Sequence, residues 1–321
     1  MPKYSLIIPV YNRPQEVDEL LESLKSQSIE DFEVVVVEDG SKDDCKSIVE
    51  GYKDDFNLLY YKIANSGPGT ARNFGAGKAS GEWFIFLDSD TLIPEGYLES
   101  INDFIQSDSV DAFGGADRDR DDFLPIQKAI SYSMTSFLTT GGIRGSKKSL
   151  EKFKPRSFNM GIKKLVFEKL GGFGKMRYGE DIDFSLRIEK ANFKTAYIAG
   201  AFVYHKRRTS FGAFFRQIKH SGEARILLSK LHKGSFKLVH LFPGLFTVGI
   251  LLSVLLVIFG LYLGMIGIAL YSFYFLIIGF HSSVKSGSLD VGILSVIASF
   301  VQLTAYGYGF FKAGTISLIR G

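Results

Sequence analysis

The sequence lacks the features that define several protein classes. Its 321 residues include a single cysteine, Cys45, which excludes an intrachain disulfide framework. The formal net charge of +4 is too small to indicate a nucleic-acid-binding protein. The N-terminus has no cationic start followed by a long apolar core, which is the pattern of a secretory signal peptide. We therefore expect the first domain to remain in the cytosol.

Charged residues become rare in the last quarter of the chain. Up to about Lys237 the chain is polar and charged, and from Leu241 onward it is largely apolar. Three apolar segments follow, at residues 241–259, 261–280 and 291–311. Each is about 20 residues long, the length of a helix that crosses a bilayer core. We predict a cytosolic domain at residues 1–235 and a transmembrane region of two or three helices at residues 236–321.

The positions of the lysines indicate an orientation. Lys230, Lys233 and Lys237 flank the first apolar segment and favour its entry from the cytosol, because positive residues concentrate on that side. Three spans would leave Lys312 and Arg320 on the outer side, against the same tendency. The sequence therefore leaves two and three spans open. We expect a multi-pass protein of the cell inner (plasma) membrane with its first domain in the cytosol.

Strand and helix patterns alternate through the first domain. The predicted strands are Tyr4–Val10, Phe32–Asp39, Leu58–Ile63, Trp83–Leu87, Val110–Gly115, Thr195–Ile198 and Val203–His205. Seven helices are predicted as well. One carries Val17 to Leu24, one follows an N-cap at Ser41, one carries Arg72, one starts at Pro94, one covers Lys163–Leu170, one starts at Tyr178–Asp183, and one covers Phe211–Leu231. Such alternation predicts an α/β fold with a mostly parallel, Rossmann-like sheet.

Two carboxylates follow the most apolar strand. The run Trp83–Leu87 is typical of a strand buried on both faces of a parallel sheet, and it leads directly into Asp88 and Asp90. Residues two apart in an extended segment point the same way. Ligands collect at the carboxyl ends of such strands, and hard divalent cations prefer oxygen ligands. The pair is a candidate metal site that could grip a diphosphate. The alternative is a solvated turn.

The nucleotide-site candidates also have two interpretations each. Asp39 ends a strand, where a carboxylate can accept hydrogen bonds from a base or ribose, or can cap a helix. Gly67 and Gly69 permit close backbone approach to a ligand, and Arg72 could meet a phosphate. The alternative for the two glycines is an ordinary turn.

Two later residues could take part in chemistry. Asp181 opens a helix, where it could be a general base that takes a proton from an attacking hydroxyl. It could equally complement the helix dipole. His205 could be a metal ligand, a phosphate contact or a structural histidine.

Five stretches together resemble glycosyltransferase family 2, which has the GT-A fold. They are Ile8–Asn12, Val37–Ser41, Asn65–Asn73, Phe86–Asp90 and Gly179–Asp183, in the family's order within residues 2–215. The resemblance implies that the first two stretches and Arg72 line a nucleotide pocket. It also implies that Asp88 and Asp90 hold a sugar nucleotide with Mg or Mn, and that Asp181 is the base.

The candidate site therefore has three parts. The catalytic residue is Asp181. The substrate-binding residues are Pro9, Tyr11, Asn12, Asp39, Gly69, Arg72, Asp88, Gly115 and Glu180. The metal ligands are Asp88, Asp90 and His205. The partners implied are a nucleotide-diphosphate sugar, with UDP expected as the nucleotide, a lipid-linked or saccharide acceptor, and membrane lipids.

Two departures from the family narrow the expectation. Processive synthases of the family carry Gln-x-x-Arg-Trp after the base, whereas the only tryptophan here is Trp83. Relatives that glycosylate a polyprenyl phosphate need no base, so the pair Glu180-Asp181 favours a hydroxyl acceptor. We expect a metal-dependent, inverting, non-processive glycosyltransferase of cell-surface polysaccharide or glycolipid assembly. The alternatives are a polyprenyl-phosphate glycosyltransferase and a non-catalytic membrane scaffold that binds a nucleotide sugar.

The stretch Phe123–Leu150 is harder to assign. It mixes apolar residues with few charges and then gives a basic turn. It fits an amphipathic segment that lies on the membrane surface or lines an acceptor groove. It fits a loop with a core helix equally well.

Overall fold

A computed structural model of the chain describes residues 1–141 and 153–320, without the side chains of the last three. Contacts divide these residues into two compact units. The first comprises residues 1–118 and 153–206, and the second comprises residues 119–141 and 207–320. The boundary between a cytosolic domain and a transmembrane region at residue 235, which was placed from hydropathy, stays a prediction. Residues 142–150 of the stretch Phe123–Leu150, together with residues 151 and 152, lie outside the described residues.

The first unit contains all ten described strands. They are β1 (Tyr4–Val10), β2 (Phe32–Asp39), β3 (Asn57–Ile63), β4 (Trp83–Leu87), β5 (Thr91–Leu92), β6 (Ala112–Gly114), β7 (Asp117–Arg118), β8 (Asn159–Lys163), β9 (Thr195–Tyr197) and β10 (Val203–His205). Seven form a sheet in the order β3-β2-β1-β4-β8-β6-β9, and β5-β10-β7 form a small second sheet. In the large sheet only β8 runs antiparallel to its neighbours. The mostly parallel α/β fold is confirmed.

Helices occur in both units. They are α1 (Pro14–Leu24), α2 (Lys46–Gly51), α3 (Pro68–Ala76), α4 (Tyr97–Ser107), α5 (Pro125–Thr135), α6 (Phe137–Thr140), α7 (Lys164–Leu170), α8 (Glu180–Lys190), α9 (Phe211–Leu231), α10 (Phe242–Ile258), α11 (Tyr262–Ser286) and α12 (Leu289–Arg320). In the first unit they cover both faces of the large sheet, so its central strands are buried on both sides. Leu6 and Ile8 of β1 enter one apolar cluster, and Ile7 between them enters the other.

Two local predictions were wrong, and one strand was missed. Ser41 does not cap a helix, because α2 begins only at Lys46. Pro94 is not a first helical residue, because the left-handed Gly96 precedes α4. Residues Asn159–Lys163 form a strand that the sequence analysis did not foresee. A five-residue segment with two small polar or flexible residues carries little strand signal, and its pairing with β4 and β6 decides its conformation.

The second unit is helical. Among the described residues, three helices are long and apolar enough to cross a membrane, at Leu238–Ile258, Tyr262–Ser286 and Leu289–Ser317. The three apolar segments are thus confirmed as helices. Helix α5 buries Ala129, Ile130 and Met134 in a cluster with residues of α9 and α12. The first half of the unassigned stretch is therefore a core helix of this unit.

Candidate active site

The site lies where β1, β2 and β4 end. These strands are neighbours and parallel, so their carboxyl ends meet at one edge of the sheet. Asp39 is the last residue of β2, Asp88 follows β4, and the turn Tyr11–Arg13 follows β1. The topology of the large sheet therefore brings Asp39, Asp88 and the turn after β1 to the same edge.

Asp39 fixes the loop that leads into α3. Its Oδ1 accepts a 2.7 Å hydrogen bond from the Ser66 N–H, and its Oδ2 accepts one of 2.9 Å from the Gly67 N–H. The Asn65 side-chain amide donates to the Asp39 carbonyl at 3.0 Å. Gly67 has φ +90°, a conformation that favours glycine. Asp39 thus organises the glycine loop and does not cap α2.

The turn after β1 is tied to the loop after β2. The Asn12 N–H donates to Ser41 Oγ at 2.7 Å, and the Lys42 N–H donates to Asn12 Oδ1 at 2.9 Å. Ser41 Oγ in turn donates to the buried carboxylate of Glu38, which sequence reasoning missed. The turn after β1 and the loop after β2 together form one rim of the site. Tyr11 on this rim is 51% exposed, so its ring is accessible to a ligand.

Pro9 lies within β1, in register with Val37 of β2. It therefore forms part of the strand that supports this rim.

Arg72 joins two parts of the site. Its Nη2 donates to Asp88 Oδ1 at 2.5 Å, and its Nη1 donates to Glu180 Oε1 at 2.9 Å. The guanidinium is buried and lies 5.4 Å from the centre of the Phe173 ring. Both terminal nitrogens thus contact carboxylates. The phosphate contact of Arg72 stays a prediction.

Asp88, Asp90 and His205 form a cluster that could hold a metal. One ligand atom from each lies within 4.8 Å of the others. His205 Nε2 is 3.2 Å from Asp90 Oδ1, and His205 Nδ1 is 3.7 Å from Asp117 Oδ2. Two carboxylates and an imidazole suit a divalent cation such as Mn²⁺. A carboxylate behind Nδ1 is the usual outer partner of a metal-binding histidine.

The metal cluster depends on both sheets and on Arg13. His205 ends β10, and β10 pairs with β5, the two-residue strand just after Asp90. Arg13 makes an ion pair with Asp90, which raises the pKa of the Arg13 guanidinium. Arg13 and Asp117 were missed from the sequence. Arg13 could have been found from its place directly after β1, at the carboxyl edge of the sheet.

Asp181 lies in the first turn of α8. Its Oδ2 accepts a 2.6 Å hydrogen bond from Arg156 Nε, and its Oδ1 accepts one of 2.8 Å from the Ile182 N–H. Gly179, with φ +79°, precedes the helix. Arg156 was missed because it leads into β8, the strand that the sequence did not reveal. The Arg156 guanidinium thus holds one carboxylate oxygen of Asp181 and orients the side chain.

Glu180, next to Asp181, is a titrating group of the site. Burial raises the pKa of its carboxyl group to about 7, and the Asp181 charge adds to this, while the Arg72 guanidinium opposes it. A group with such a pKa can hold or release a proton near neutral pH. The sequence analysis assigns Glu180 only to substrate binding, and the structure adds this titration.

The two predicted glycines differ in their surroundings. A methyl group on Gly69 would lie 3.3 Å from Glu180 Cγ, so Gly69 lets α3 approach the start of α8. A methyl group on Gly115 would collide with the Ala201 carbonyl. The close packing against Ala201 is sufficient to require glycine at 115. Its substrate role stays a prediction.

Comparison with known proteins agrees with this geometry. The sequence profile described as Glycosyl transferase family 2 matches residues 5–171. This chain belongs to glycosyl transferase family 2. The family was expected from the five motifs and is confirmed.

Relatives of this family 2 protein match it over one part only. The GalNAc(5)-diNAcBac-PP-undecaprenol beta-1,3-glucosyltransferase of Campylobacter jejuni is 38% identical over 104 residues, which are 32% of this chain and 34% of that protein. The poly(ribitol-phosphate) beta-N-acetylglucosaminyltransferase TarS of Staphylococcus aureus is 40% identical over 109 residues, 33% of this chain and 19% of TarS. The chain thus spans about a third or less of these relatives.

Solved structures agree in fold. The mannosyltransferase PcManGT of Pyrobaculum calidifontis, solved with GDP-Man and Mn2+, superposes with a TM-score of 0.69 at 17% identity. The match covers 92% of this chain and 86% of that one. Such a likeness confirms the expected GT-A fold.

Proposed function

We propose that this family 2 protein is an inverting glycosyltransferase that moves one sugar from a nucleotide-diphosphate sugar to a hydroxyl group of a lipid-linked saccharide. The observation that carries the proposal is the bridge made by Arg72. It binds Asp88 of the cation cluster on one side and Glu180, the neighbour of Asp181, on the other. The donor-binding and proton-accepting carboxylates therefore belong to one continuous network.

In this proposal, different residues bind the nucleotide and the cation. The rim at Tyr11 and the loop fixed by Asp39 bind the nucleotide, for which we propose UDP. Asp88, Asp90 and His205 would hold a divalent cation, Mg or Mn, and its charge would offset that of the departing diphosphate. PcManGT was solved with Mn2+, which supports this ligand set as a metal site.

Proton transfer is assigned to Asp181. The acceptor hydroxyl oxygen forms a bond to the anomeric carbon from the face opposite the diphosphate. The bond from that carbon to the diphosphate oxygen breaks, and the hydroxyl proton passes to a carboxylate oxygen of Asp181. Arg156 orients the Asp181 carboxylate before the reaction. The anomeric configuration of the sugar inverts because attack and departure occur on opposite faces.

The membrane helices support a lipid-linked acceptor. Apolar helices long enough to cross a bilayer follow the catalytic residues in the same chain. The Campylobacter relative carries a lipid-linked saccharide in its name, and TarS acts on poly(ribitol-phosphate). We propose an inner-membrane enzyme of cell-surface polysaccharide or glycolipid assembly, with its catalytic unit in the cytosol.

A transfer assay with purified full-length protein tests the proposal. UDP-, GDP- and dTDP-sugars with Mn are paired in turn with a sugar-headed lipid and with a polyprenyl phosphate, and products are analysed by mass spectrometry and NMR. We expect one sugar of inverted configuration on the sugar-headed lipid. Transfer only to the phosphate would favour the polyprenyl-phosphate enzyme. Donor binding without turnover would favour a scaffold, and growth beyond one sugar would favour a processive synthase.

A further inference from the structure

We infer that α12 does not cross the membrane. Its second half lies in the plane of the leaflet next to α9, so the chain crosses the bilayer twice and its exposed apolar stripe contacts lipid. The three apolar helices were compatible with three spans by length and composition alone. The packing of α12 on α10 and α11 contradicts a third span.

Helices α10 and α11 form an antiparallel hairpin. Gly264 of α11 packs against Val257 near the end of α10. Tyr271 contacts Phe246, near the start of α10, with ring centres 5.0 Å apart. Residue numbers thus rise in one helix as they fall in the other, as expected for two consecutive spans.

The first half of α12 follows α11 back along the hairpin. Ser295 Oγ is 2.7 Å from Ser282 Oγ of α11, and the ring centres of Phe300 and Phe275 are 6.2 Å apart. The Phe275 ring in turn lies 6.0 Å from that of Phe246. At Phe300, α12 has therefore reached the level of the first two turns of α10.

Beyond Phe300, α12 stays at that level. A third span would run parallel to α10, and the next 11 residues would advance by about 16 Å toward its far end. Instead, Thr247 Oγ1 contacts the Leu303 carbonyl at 3.4 Å, and a methyl group on Gly307 would lie 2.7 Å from the Pro243 carbonyl. A methyl group on Gly244 would lie 3.2 Å from the Phe311 ring. The second half of α12 therefore crosses the hairpin at its open end, where α10 begins.

The helix on the other side of α12 is too charged for the hydrocarbon core. The backbone of α12 at Tyr306 and Gly309 packs closely on Gly222 and Lys219 of α9. Over its length α9 carries Arg216, Lys219, His220, Glu223, Arg225 and Lys230. Ionisable residues at the bilayer centre are costly. The second half of α12 must therefore share the membrane surface with α9.

The charges at the end of α12 agree with this placement. Lys312 lies 3.4 Å from Glu223 of α9. Lys312 thus lies on the same side as the lysines that precede α10, which satisfies the positive-inside tendency that a third span would violate.

One stripe of α12 is left for the lipid. Its large apolar residues more than 40% exposed, among the side chains that the structure describes, are Leu289, Ile293, Ile297, Phe300, Tyr308, Phe311 and Ile316. At 100° per residue all of them except Ile316 fall on one side of the helix. The stripe is continuous with the lipid-facing hairpin through Phe300 and Phe311, which touch α11 and α10. We therefore take a bilayer as its partner.

Cysteine labelling in sealed vesicles tests the topology. Single variants Lys233→Cys, before α10, Leu261→Cys, at the hairpin turn, and Lys312→Cys are treated with a membrane-impermeant maleimide, and the parent chain, with Cys45 buried, gives the background. We expect Lys312→Cys to react from the same side as Lys233→Cys. Reaction from the side of Leu261→Cys would overturn the inference. If the thiol at 312 is silent, a compartment-specific reporter fused after residue 321 decides.

Depth measurements test the lipid contact separately. Phe300→Trp and Phe311→Trp are made in a Trp83→Phe background, and quenching by lipids brominated at different depths is compared. An in-plane helix places both tryptophans at the same shallow depth. A transverse helix separates them by about 16 Å, and that result would exclude our placement. Neither experiment depends on the proposed transferase reaction.

Discussion

Arg72 and Glu180 lie 108 residues apart in sequence and form a buried ion pair of 2.9 Å. The same guanidinium holds Asp88, so one side chain connects the end of β4 with the start of α8. A lysine would carry the same charge but not the planar fork that reaches two carboxylates at once. The pair therefore gives the site its geometry as well as its charge balance.

Replacement of Arg72 tests this role. We expect Arg72→Lys to lower the free energy of unfolding by about 1–3 kcal/mol, because one buried carboxylate loses its donor. Denaturant unfolding in detergent measures the change. Arg120→Lys is the control, since Arg120 pairs with Asp122 at the surface, and it should change stability by less than about 1 kcal/mol. Equal effects of the two variants would contradict the bridge.

The cation cluster predicts a graded loss of Mn²⁺ binding. Asp90→Asn removes a ligand and should weaken binding by at least about tenfold, and Asp117→Asn, behind His205 Nδ1, should weaken it by about 10–100-fold through the orientation of the ring. Asp122→Asn is the exposed control. Titration of the protein with Mn²⁺, monitored by electron paramagnetic resonance, measures the affinities without any need for turnover. Unchanged affinity in both buried variants would remove the metal assignment.

A base role for Asp181 can be separated from a helix-dipole role by a matched pair. Asp181 and Asp183 both lie buried in the first turn of α8, and each pairs with an arginine. We expect Asp181→Asn to lower kcat by about 10²–10⁴-fold with KM for the donor nearly unchanged. Asp183→Asn should retain most activity. Similar losses in both would indicate that the carboxylates only stabilise the helix.

Glu180 predicts a pH dependence of stability. Its pKa is raised from 4.5 to about 7 in the folded chain, so the folded state binds one more proton than the unfolded state between these values. Stability therefore falls as pH rises through this window, by on the order of 3 kcal/mol in total. Glu180→Gln should abolish this component of the decline, whereas the exposed control Glu95→Gln should keep it. The test is to measure the free energy of unfolding of the parent chain and of both variants from pH 4 to 8. Parallel curves for all three proteins would refute the raised pKa of Glu180.

Local sequence patterns were enough to predict the α/β sheet, the strand ends that carry the site and the apolar helices. Uninterrupted apolar runs such as Trp83–Leu87 can be buried only between two layers, so the α/β sheet and its carboxyl edge followed from local pattern. Asp39, Asp88 and Asp90 were found because each lies at the end of such a strand. The three apolar helices were found because span length is a local property.

The remaining features depend on contacts between distant parts of the chain. The strand at Asn159–Lys163 exists because two neighbours pair with it, and with it comes Arg156, the partner of Asp181. The contact between Arg72 and Glu180 depends on how α3 and α8 pack. The path of α12 depends on which helix its glycines touch. These are relations between residues distant in the chain, and no local pattern contains them.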